Sequence, residues 1–153
     1  MRYMLYKTQE KKVSLDQEVN YLKNYIDLQK QRFTEKLNLE QRFVLDGEHN
    51  MIEPMLLITF VENAFKYGTG HVEHPNITIV LKEKDDMLYF KVKNRQSKTD
   101  FTVDDNPGIG LVNVKRRLQL IYGDKHQLEI LDKEDWFEIK LRLKLERWWD
   151  VLQ

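Results

Sequence analysis

The expected fold follows from one stretch of the chain, PMLLITFVENAFKYG at residues 54–68. Its apolar residues cover most faces of a helix, with Pro54 suited to the first helical position and Gly68 to the stop. A helix that is apolar on most of its faces belongs at the centre of a domain. Glu62 and Asn63 stand out on it, because polar side chains are costly there unless they are paired or face a cleft.

Alternating apolar runs on both sides of this helix predict strands, and charged or turn-forming connections between them predict two antiparallel hairpins. The predicted strands are residues 37–45, 77–81, 87–92, 128–131 and 136–143. A further helix is predicted over residues 110–122, ended by Gly123. This order of elements indicates an α+β fold, a two-layer α/β sandwich in which helices cover one face of a mixed, mostly antiparallel sheet.

A connecting helix is predicted before this sandwich. Ser14-Leu15-Asp16-Gln17 has the pattern of a capping box, in which the Ser and Gln side chains satisfy backbone N–H groups at a helix start. Apolar positions then recur at alternating steps of three and four residues. They are Leu15, Val19, Leu22, Ile26 and Phe33, with Gln29 in the same register. The spacing fits a helix that packs on another helix, and equally an ordinary amphipathic surface helix.

Composition excludes several classes of function. The 153 residues suit one domain, and 25 basic against 25 acidic residues give no bulk charge that indicates a nucleic-acid or membrane-surface partner. The absence of Cys rules out disulfides and thiolate chemistry and suits a reducing cytosol. No run approaches the roughly 20 apolar residues needed to span a bilayer, and the first residues do not resemble a signal peptide.

Two groups of residues could carry chemistry. Glu62 and Lys66 are one helical turn apart and Asn63 is adjacent, so their side chains could converge on one site, although such a Glu–Lys pair is often a surface salt bridge. Gly108 and Gly110 lie just before or within the start of a helix, where backbone N–H groups can bind phosphate. A Gly-x-Gly pair also serves plain turns, and no Walker-type loop is present.

Taken together, these motifs closely resemble the LytS/YehU-like sensor histidine kinases. The resemblance covers roughly residues 1 to 145, and two strings of residues within that range carry it. They are Pro54-x-x-Leu57-x-x-x-Val61-Glu62-Asn63-Ala64-x-Lys66-x-Gly68 and Gly108-Ile109-Gly110-Leu111-x-Asn113-Val114-x-x-Arg117-Leu118-x-x-x-Tyr122-Gly123. It implies the ATP-binding fold shared with gyrase, Hsp90 and MutL, with ATP and Mg²⁺ as ligands and a mobile lid over residues 93–107.

The resemblance also implies a role for each site residue. Glu62 would orient or deprotonate the nucleophile, Lys66 would lie near the phosphates, and Asn63 would bind Mg²⁺ through its side-chain oxygen. The other implied nucleotide-binding residues are Asn94, Gly108, Gly110, Asn113 and Arg117, of which Asn113 and Arg117 would either contact phosphate or anchor their helix.

One departure concerns adenine recognition. The family has Asp-Asn-Gly at the end of the strand that reads Tyr89 to Arg95 here, and the register that aligns Asn94 with the family's Asn puts Lys93 at the Asp. A Lys offers only donors and cannot accept from the adenine amino group. Asn94 could accept instead, and restoring the acceptor by Lys93→Asp is expected to tighten ATP binding.

A second departure is the missing phosphoacceptor context. His49, His71, His74 and His126 all lie in loop-like or turn-like surroundings and are interpreted as solvent-exposed rather than phosphorylated. The chain is therefore expected to comprise the end of the phosphoacceptor region and a connecting helix at residues 1–33, the ATP-binding domain at 34–145 and a tail at 146–153. The Trp148-Trp149 pair in that tail is expected to pack back on the domain or, alternatively, to contact a partner.

The resemblance indicates a protein-histidine kinase domain that acts on a histidine elsewhere and relays the phosphoryl group to a response regulator. The whole protein is expected to be a membrane-anchored bacterial homodimer, with this domain in the cytoplasm. The domain would dock on the phosphoacceptor domain of the same protein. No nucleic-acid partner is expected, and the membrane would be contacted only through other segments. Two alternatives stay open: a catalytically silent nucleotide-sensing or interaction module with a degenerate adenine site, and an ATPase in which Glu62 activates water.

Overall fold

The computed structural model describes residues 12–33, 36–69, 72–97 and 109–151. The helices in these ranges are α1 (Leu15–Arg32), α2 (Ile58–Tyr67), α3 (Ile109–Tyr122), a 3-10 turn (Gly123–Lys125) and the short α4 (Trp148–Val151). The strands are β1 (Val13–Ser14), β2 (Asn38–Val44), β3 (Asn50–Ile52), β4 (Asn76–Lys84), β5 (Met87–Arg95), β6 (His126–Asp132), β7 (Trp136–Lys144) and β8 (Glu146–Arg147).

The main sheet has the strand order β2-β4-β5-β7-β6. Only β2 and β4 pair in parallel, and the other neighbours are antiparallel, so the predicted mixed, mostly antiparallel sheet is confirmed. A second, small sheet of order β1-β3-β8 was not predicted. Its strands have only two or three residues, which is too short to show an alternating pattern.

The helices α2 and α3 pack on one face of the main sheet, and α1 packs against α2 and the small sheet. The buried residues of all three helices belong to one core, which gives the expected two-layer sandwich. On β5, for example, Leu88, Phe90 and Val92 are buried, while the residues between them are more exposed. This alternation is what a strand with one covered face requires, since successive side chains point to opposite faces. The core therefore lies between the helices and the inner face of the sheet.

α1 begins where the sequence predicts. Ser14 is its N-cap, and its Oγ accepts a hydrogen bond from the Gln17 backbone N–H at 3.1 Å. The apolar stripe from Leu15 to Ile26 is buried in the same core as the sheet. The predicted division at residue 33 therefore separates elements that share one core, and it stays a prediction about the longer protein.

α2 begins four residues later than predicted. Met55 has a φ of 63°, in the left-handed region, so the backbone cannot be helical from Pro54 onward. The helical residues start at Ile58, and Leu57 is the N-cap without a side-chain hydrogen bond. The end is as predicted, because Gly68 is the C-cap and its N–H donates to the Ala64 carbonyl at 2.8 Å.

The chain after β7 turns back onto the domain. β8 pairs with β3, and the Trp148 backbone N–H donates to the His49 carbonyl at 2.8 Å. The Trp149 ring stacks on the His49 ring with centroids 6.0 Å apart. Both indoles nevertheless stay substantially exposed, at 49% and 40%. Within the described residues, no helix has the length and apolar character needed to cross a bilayer.

Candidate functional site

The α2 helix presents its polar residues at the edge of the core. Val61 and Ala64 are buried, Asn63 is half-buried, and Glu62 and Lys66 are exposed. Glu62 and Lys66 lie one turn apart on the solvent side, as their spacing predicts. The carboxylate and the ammonium group are thus available at the surface, while the Asn63 amide reaches toward the sheet.

Asn63 and Asn94 line the same small recess between α2 and the sheet. The other lining residues are apolar: Phe60, Ala64, Val92, Leu111, Phe137 and Ile139. The recess has a volume of only about 10 Å³, far below that of a ligand pocket, so it places the two amides near each other without itself enclosing a ligand. The structure therefore brings together two of the residues predicted for nucleotide binding.

Asn94 is almost fully buried, with 2% of its surface exposed. Its Nδ2 donates to the Arg95 backbone carbonyl at 3.0 Å. This contact uses one donor of the amide and leaves Oδ1 as an acceptor beside the recess. A buried acceptor in this position suits a ligand N–H group.

Lys93 lies on the other face of the sheet, so the expectation that it occupies the adenine position was wrong. Successive side chains of a strand point to opposite faces, and Asn94 points to the recess. The Lys93 Nζ lies 4.5 Å from the centre of the Trp136 ring, on the outer face. The pleat of β5 therefore places Asn94 where Lys93 was expected.

Gly68 permits the close approach of α2 to β5. A Cβ atom built at Gly68 would lie 2.8 Å from the Asn94 Cβ atom and would also clash with the Ala64 carbonyl oxygen. Only a residue without a side chain fits at this point. Gly110 differs, since a Cβ atom there would make an ordinary 3.6 Å contact with Thr59 Cγ2.

Arg117 anchors α3 to the segment that precedes α2. Its guanidinium donates to the Glu53 carboxylate at 3.1 Å and to the Pro54 carbonyl at 2.9 Å. The Met55 carbonyl is a longer third acceptor at 3.4 Å. Of the two roles predicted for Arg117, the structure shows the contacts of helix anchoring.

Glu18 and Tyr122 complete this polar cluster, and neither was predicted from the sequence. Burial raises the pKa of the Glu18 carboxyl group, and the backbone N–H groups of Met55 and Leu57 oppose this rise without cancelling it. The Tyr122 hydroxyl accepts from the Glu53 backbone N–H at 3.0 Å, and burial raises the pKa of Tyr122 to about 12. Glu18 was missed because it interrupts the apolar stripe of α1, where a charged residue normally faces solvent.

Tyr25 of α1 also lies next to the candidate site. Burial raises the pKa of its hydroxyl group, and the negative charge of Glu62 raises that pKa further. Its ring packs edge-on against Phe65 of α2, with centroids 6.0 Å apart. α1 thus contacts the helix that presents Glu62, a neighbour that its apolar periodicity alone could not identify.

The remaining predicted site residues lie around the start of α3. Asn113 is exposed on that helix, Gly110 is half-buried near Thr59, and Gly108 lies outside the described residues, as does most of the predicted lid. In the described ranges, no group of three or more His, Cys, Asp or Glu side chains could hold a metal ion.

The prediction that the histidines are solvent-exposed holds for His74 and not for two others. His49 Nε2 lies 3.0 Å from an Asp86 carboxylate oxygen, and its ring is half-buried. His126 Nδ1 lies 2.6 Å from the Gly123 carbonyl oxygen and is also half-buried. His71 lies outside the described residues.

Comparison with known proteins finds similarity to histidine kinases in sequence and in fold. The family model described as histidine kinase matches residues 1–37. The sensor protein kinase HptS of Staphylococcus aureus is 28% identical over 148 residues, which are 88% of this chain and 28% of HptS. The chain is similar in sequence to this sensor protein kinase over most of its own length. It spans little more than a quarter of the length of this relative.

Solved structures show the same fold. The catalytic domain of histidine kinase ThkA matches with a TM-score of 0.59 at 14% identity, covering 88% of this chain and 95% of that domain. ThkA has also been solved with the response regulator protein TrrA. Full-length ShkA with AMPPNP matches with a TM-score of 0.57 at 18% identity, covering 89% of this chain and 31% of ShkA. The chain has the histidine kinase catalytic-domain fold.

We predict that Gly68→Ala destabilises this histidine kinase fold by about 1–3 kcal/mol, because the added methyl group forces α2 away from Asn94. Gly110→Ala is the matched control and should be neutral or slightly stabilising, since its methyl group meets only Thr59 at 3.6 Å. Urea unfolding of both variants measures the difference. Equal stability of Gly68→Ala and Gly110→Ala would contradict the close approach described above.

Proposed function

We propose that this chain is the ATP-binding catalytic domain of a two-component sensor histidine kinase. It transfers the γ-phosphoryl group of ATP to a histidine outside this sequence, for relay to a response regulator. The observation that carries the proposal is the recess shared by Asn63 and Asn94, one residue from Glu62. AMPPNP bound to ShkA, which has the same fold, supports a nucleotide as the ligand.

Asn94 and Asn63 are assigned to the two ends of the nucleotide. The Asn94 Oδ1 is assigned to accept from the adenine amino group, which requires the recess to widen from its volume of about 10 Å³ when the nucleotide binds. The half-buried Asn63 amide would hold Mg²⁺ through its side-chain oxygen, a hard donor of the kind that this ion prefers. When bound, Mg²⁺ offsets negative charge on the phosphoryl group.

Glu62 and Lys66 are assigned to the transfer itself. The exposed Glu62 carboxylate orients the incoming imidazole and accepts its N–H proton, while the Lys66 ammonium group lies toward the phosphates. Gly108, Gly110 and Asn113 at the start of α3 hold the phosphate end. Arg117 keeps α3 in place through Glu53 and is a positioning residue.

The wider context follows from the relatives. ThkA has been solved with a response regulator, and HptS is a sensor protein kinase, so we infer a response regulator as partner. The full-length protein is proposed to be a membrane-anchored bacterial homodimer, in which this domain works in the cytoplasm on its own phosphoacceptor domain. The proposed domain limits are 1–33, 34–145 and 146–153.

The silent-module alternative loses its main support in the structure. It rested on Lys93 blocking adenine recognition, and Lys93 lies on the opposite face of the sheet from the recess, over Trp136. The ATPase alternative needs the same Glu62 carboxylate, which would then activate water. Only an assay that separates transfer from hydrolysis distinguishes it from the kinase.

Asn63→Ala should weaken Mg²⁺-ATP binding by about tenfold or more, because a hydrogen-bonding or metal-binding oxygen of this kind contributes strongly toward a charged ligand. Binding of ATP without metal should change little. Asn20→Ala, at an exposed position of α1, is the control. Calorimetric titration with and without Mg²⁺ tests this, and equal losses under both conditions would remove Asn63 from the metal.

The pleat of β5 predicts opposite outcomes for two neighbouring residues. Asn94→Leu should weaken ATP binding by about tenfold and reduce the preference for ATP over GTP, because it removes the acceptor while keeping the volume. Lys93→Asp should change neither quantity, contrary to the expectation from sequence. Thermal melting checks that both variants are folded. Tighter ATP binding by Lys93→Asp would restore the sequence-based register.

In the full-length protein, Glu62→Gln should slow histidine phosphorylation by about 10²-fold or more, since a positioned general base contributes that much, while ATP binding stays close to wild type. The present chain alone should not label itself with ATP. Phosphate release and acid-labile protein phosphate are measured in parallel. Phosphate release without transfer would favour the ATPase, and binding without either product would favour the silent module.

A further inference from the structure

The outer face of the main sheet carries a concentration of positive charge that the neutral composition does not reveal. The pleat directs alternate residues of β4, β5 and β7 to this face. Its central cations are Lys82, Lys91, Lys93, Arg95, Lys140 and Arg142. On the same three strands only one carboxylate faces this side, Glu138, and Glu129 adds a second on β6.

Two of these lysines face each other directly. Lys91 of β5 is the cross-strand partner of Lys140 of β7. Like charges in this relation are destabilising. Within the described part of the chain, Lys82, Lys91 and Lys140 form no ion pair. On its other side Lys140 faces Glu129, whereas Lys91 faces Val80. Lys91 is therefore the cation of this pair that has no opposite charge across from it, and an external anionic group would supply one.

The same residues enclose a groove of about 390 Å³. Val80 and Tyr89 contribute apolar surface to it, and the stems of Lys82, Lys91 and Lys140 form its sides. Four cationic side chains line the groove against one carboxylate, Glu129. Its net positive charge and apolar surface fit a chain that offers carboxylates and an apolar side chain together. A flat lipid surface would meet the rim of such a groove and leave its interior unfilled.

Cationic side chains lie over the aromatic rings of this face, where a nucleic-acid base would have to stack. The Trp136 ring has Lys93 Nζ at 4.5 Å and the Arg95 guanidinium carbon at 4.9 Å from its centre. The Tyr89 ring has the Arg142 guanidinium carbon at 5.4 Å. Proteins that bind single strands use uncovered rings as stacking platforms. The face therefore favours an acidic protein segment over a nucleic acid.

We propose that the outer face of the sheet, centred on Lys91 and Lys140, is a docking surface for an acidic segment of a partner protein that inserts an apolar side chain into the groove. Carboxylates of the segment interact with the lysines, and the apolar side chain contacts Tyr89 and Val80. The surface lies on the opposite side of the sheet from the recess of Asn63 and Asn94. The proposal therefore does not depend on nucleotide binding.

The probes are two fluorescein-labelled peptides, an oligo-glutamate and the same peptide with one central Phe. Both should bind in fluorescence anisotropy at low salt, and the Phe peptide should bind several-fold more tightly. Lys91→Glu should weaken both by about tenfold, because it reverses a charge at the centre of the face. Lys30→Glu, on the exposed side of α1, is the matched control and should change binding less than about twofold.

A measurement of melting temperature distinguishes a variant that has lost peptide contacts from one that has lost its fold. Lys91→Glu replaces a Lys–Lys pair by a Glu–Lys pair opposite Lys140, so its melting temperature should equal or exceed that of wild type. Peptides that do not bind, or that bind Lys91→Glu and Lys30→Glu equally, would overturn the proposal. Tighter binding of oligothymidylate or phosphatidylglycerol vesicles, abolished by Lys91→Glu, would also overturn it by assigning the face to nucleic acid or membrane.

Discussion

The close packing of α2 on β5 is the contact on which the candidate site depends. Because Gly68 has no side chain, the end of α2 comes within contact distance of Asn94. This approach places the Asn63 and Asn94 amides in one recess and leaves Glu62 at its solvent side. A wider separation would expose the recess to water and weaken every polar contact made there. The absence of a side chain at Gly68 thus sets the distance between α2 and β5 at the proposed nucleotide site.

The ends of the helices are joined by polar contacts rather than by the apolar core. Arg117 of α3 binds the Glu53 carboxylate and the carbonyl of Pro54, and Tyr122 accepts from the backbone of Glu53. Glu18 of α1 lies against the same segment. Buried polar groups of this kind are stabilising only when their partners are present. α1, α3 and the start of α2 therefore keep a common arrangement, and α1 is linked through these contacts to the helix that carries Asn63.

Sequence reasoning worked where a pattern is repeated over many residues and failed where a single residue decides. The long strands, the hairpins and the capped start of α1 repeat their signals and were predicted correctly. The start of α2 was placed too early, because the left-handed backbone of Met55 leaves no signal in composition. The position of Lys93 was wrong because a shift of one residue along a strand exchanges its two faces. The net charge was also a poor guide to the surface. Basic and acidic residues are equal in number, and yet the outer face of the main sheet is mostly basic.

The sequence by itself determined the long strands and helices, the sandwich class and the motif residues Glu62, Asn63 and Lys66, because these depend on periodicity and on residues adjacent in the chain. Only the tertiary structure decided which distant residues meet. It paired Asn94 rather than Lys93 with Asn63, and it gave Arg117 an anchoring partner. It also brought lysines from separate strands onto one surface. The physical reason is that the pleat of a strand and the distance between helix and sheet are fixed by packing across the core, which no local pattern encodes.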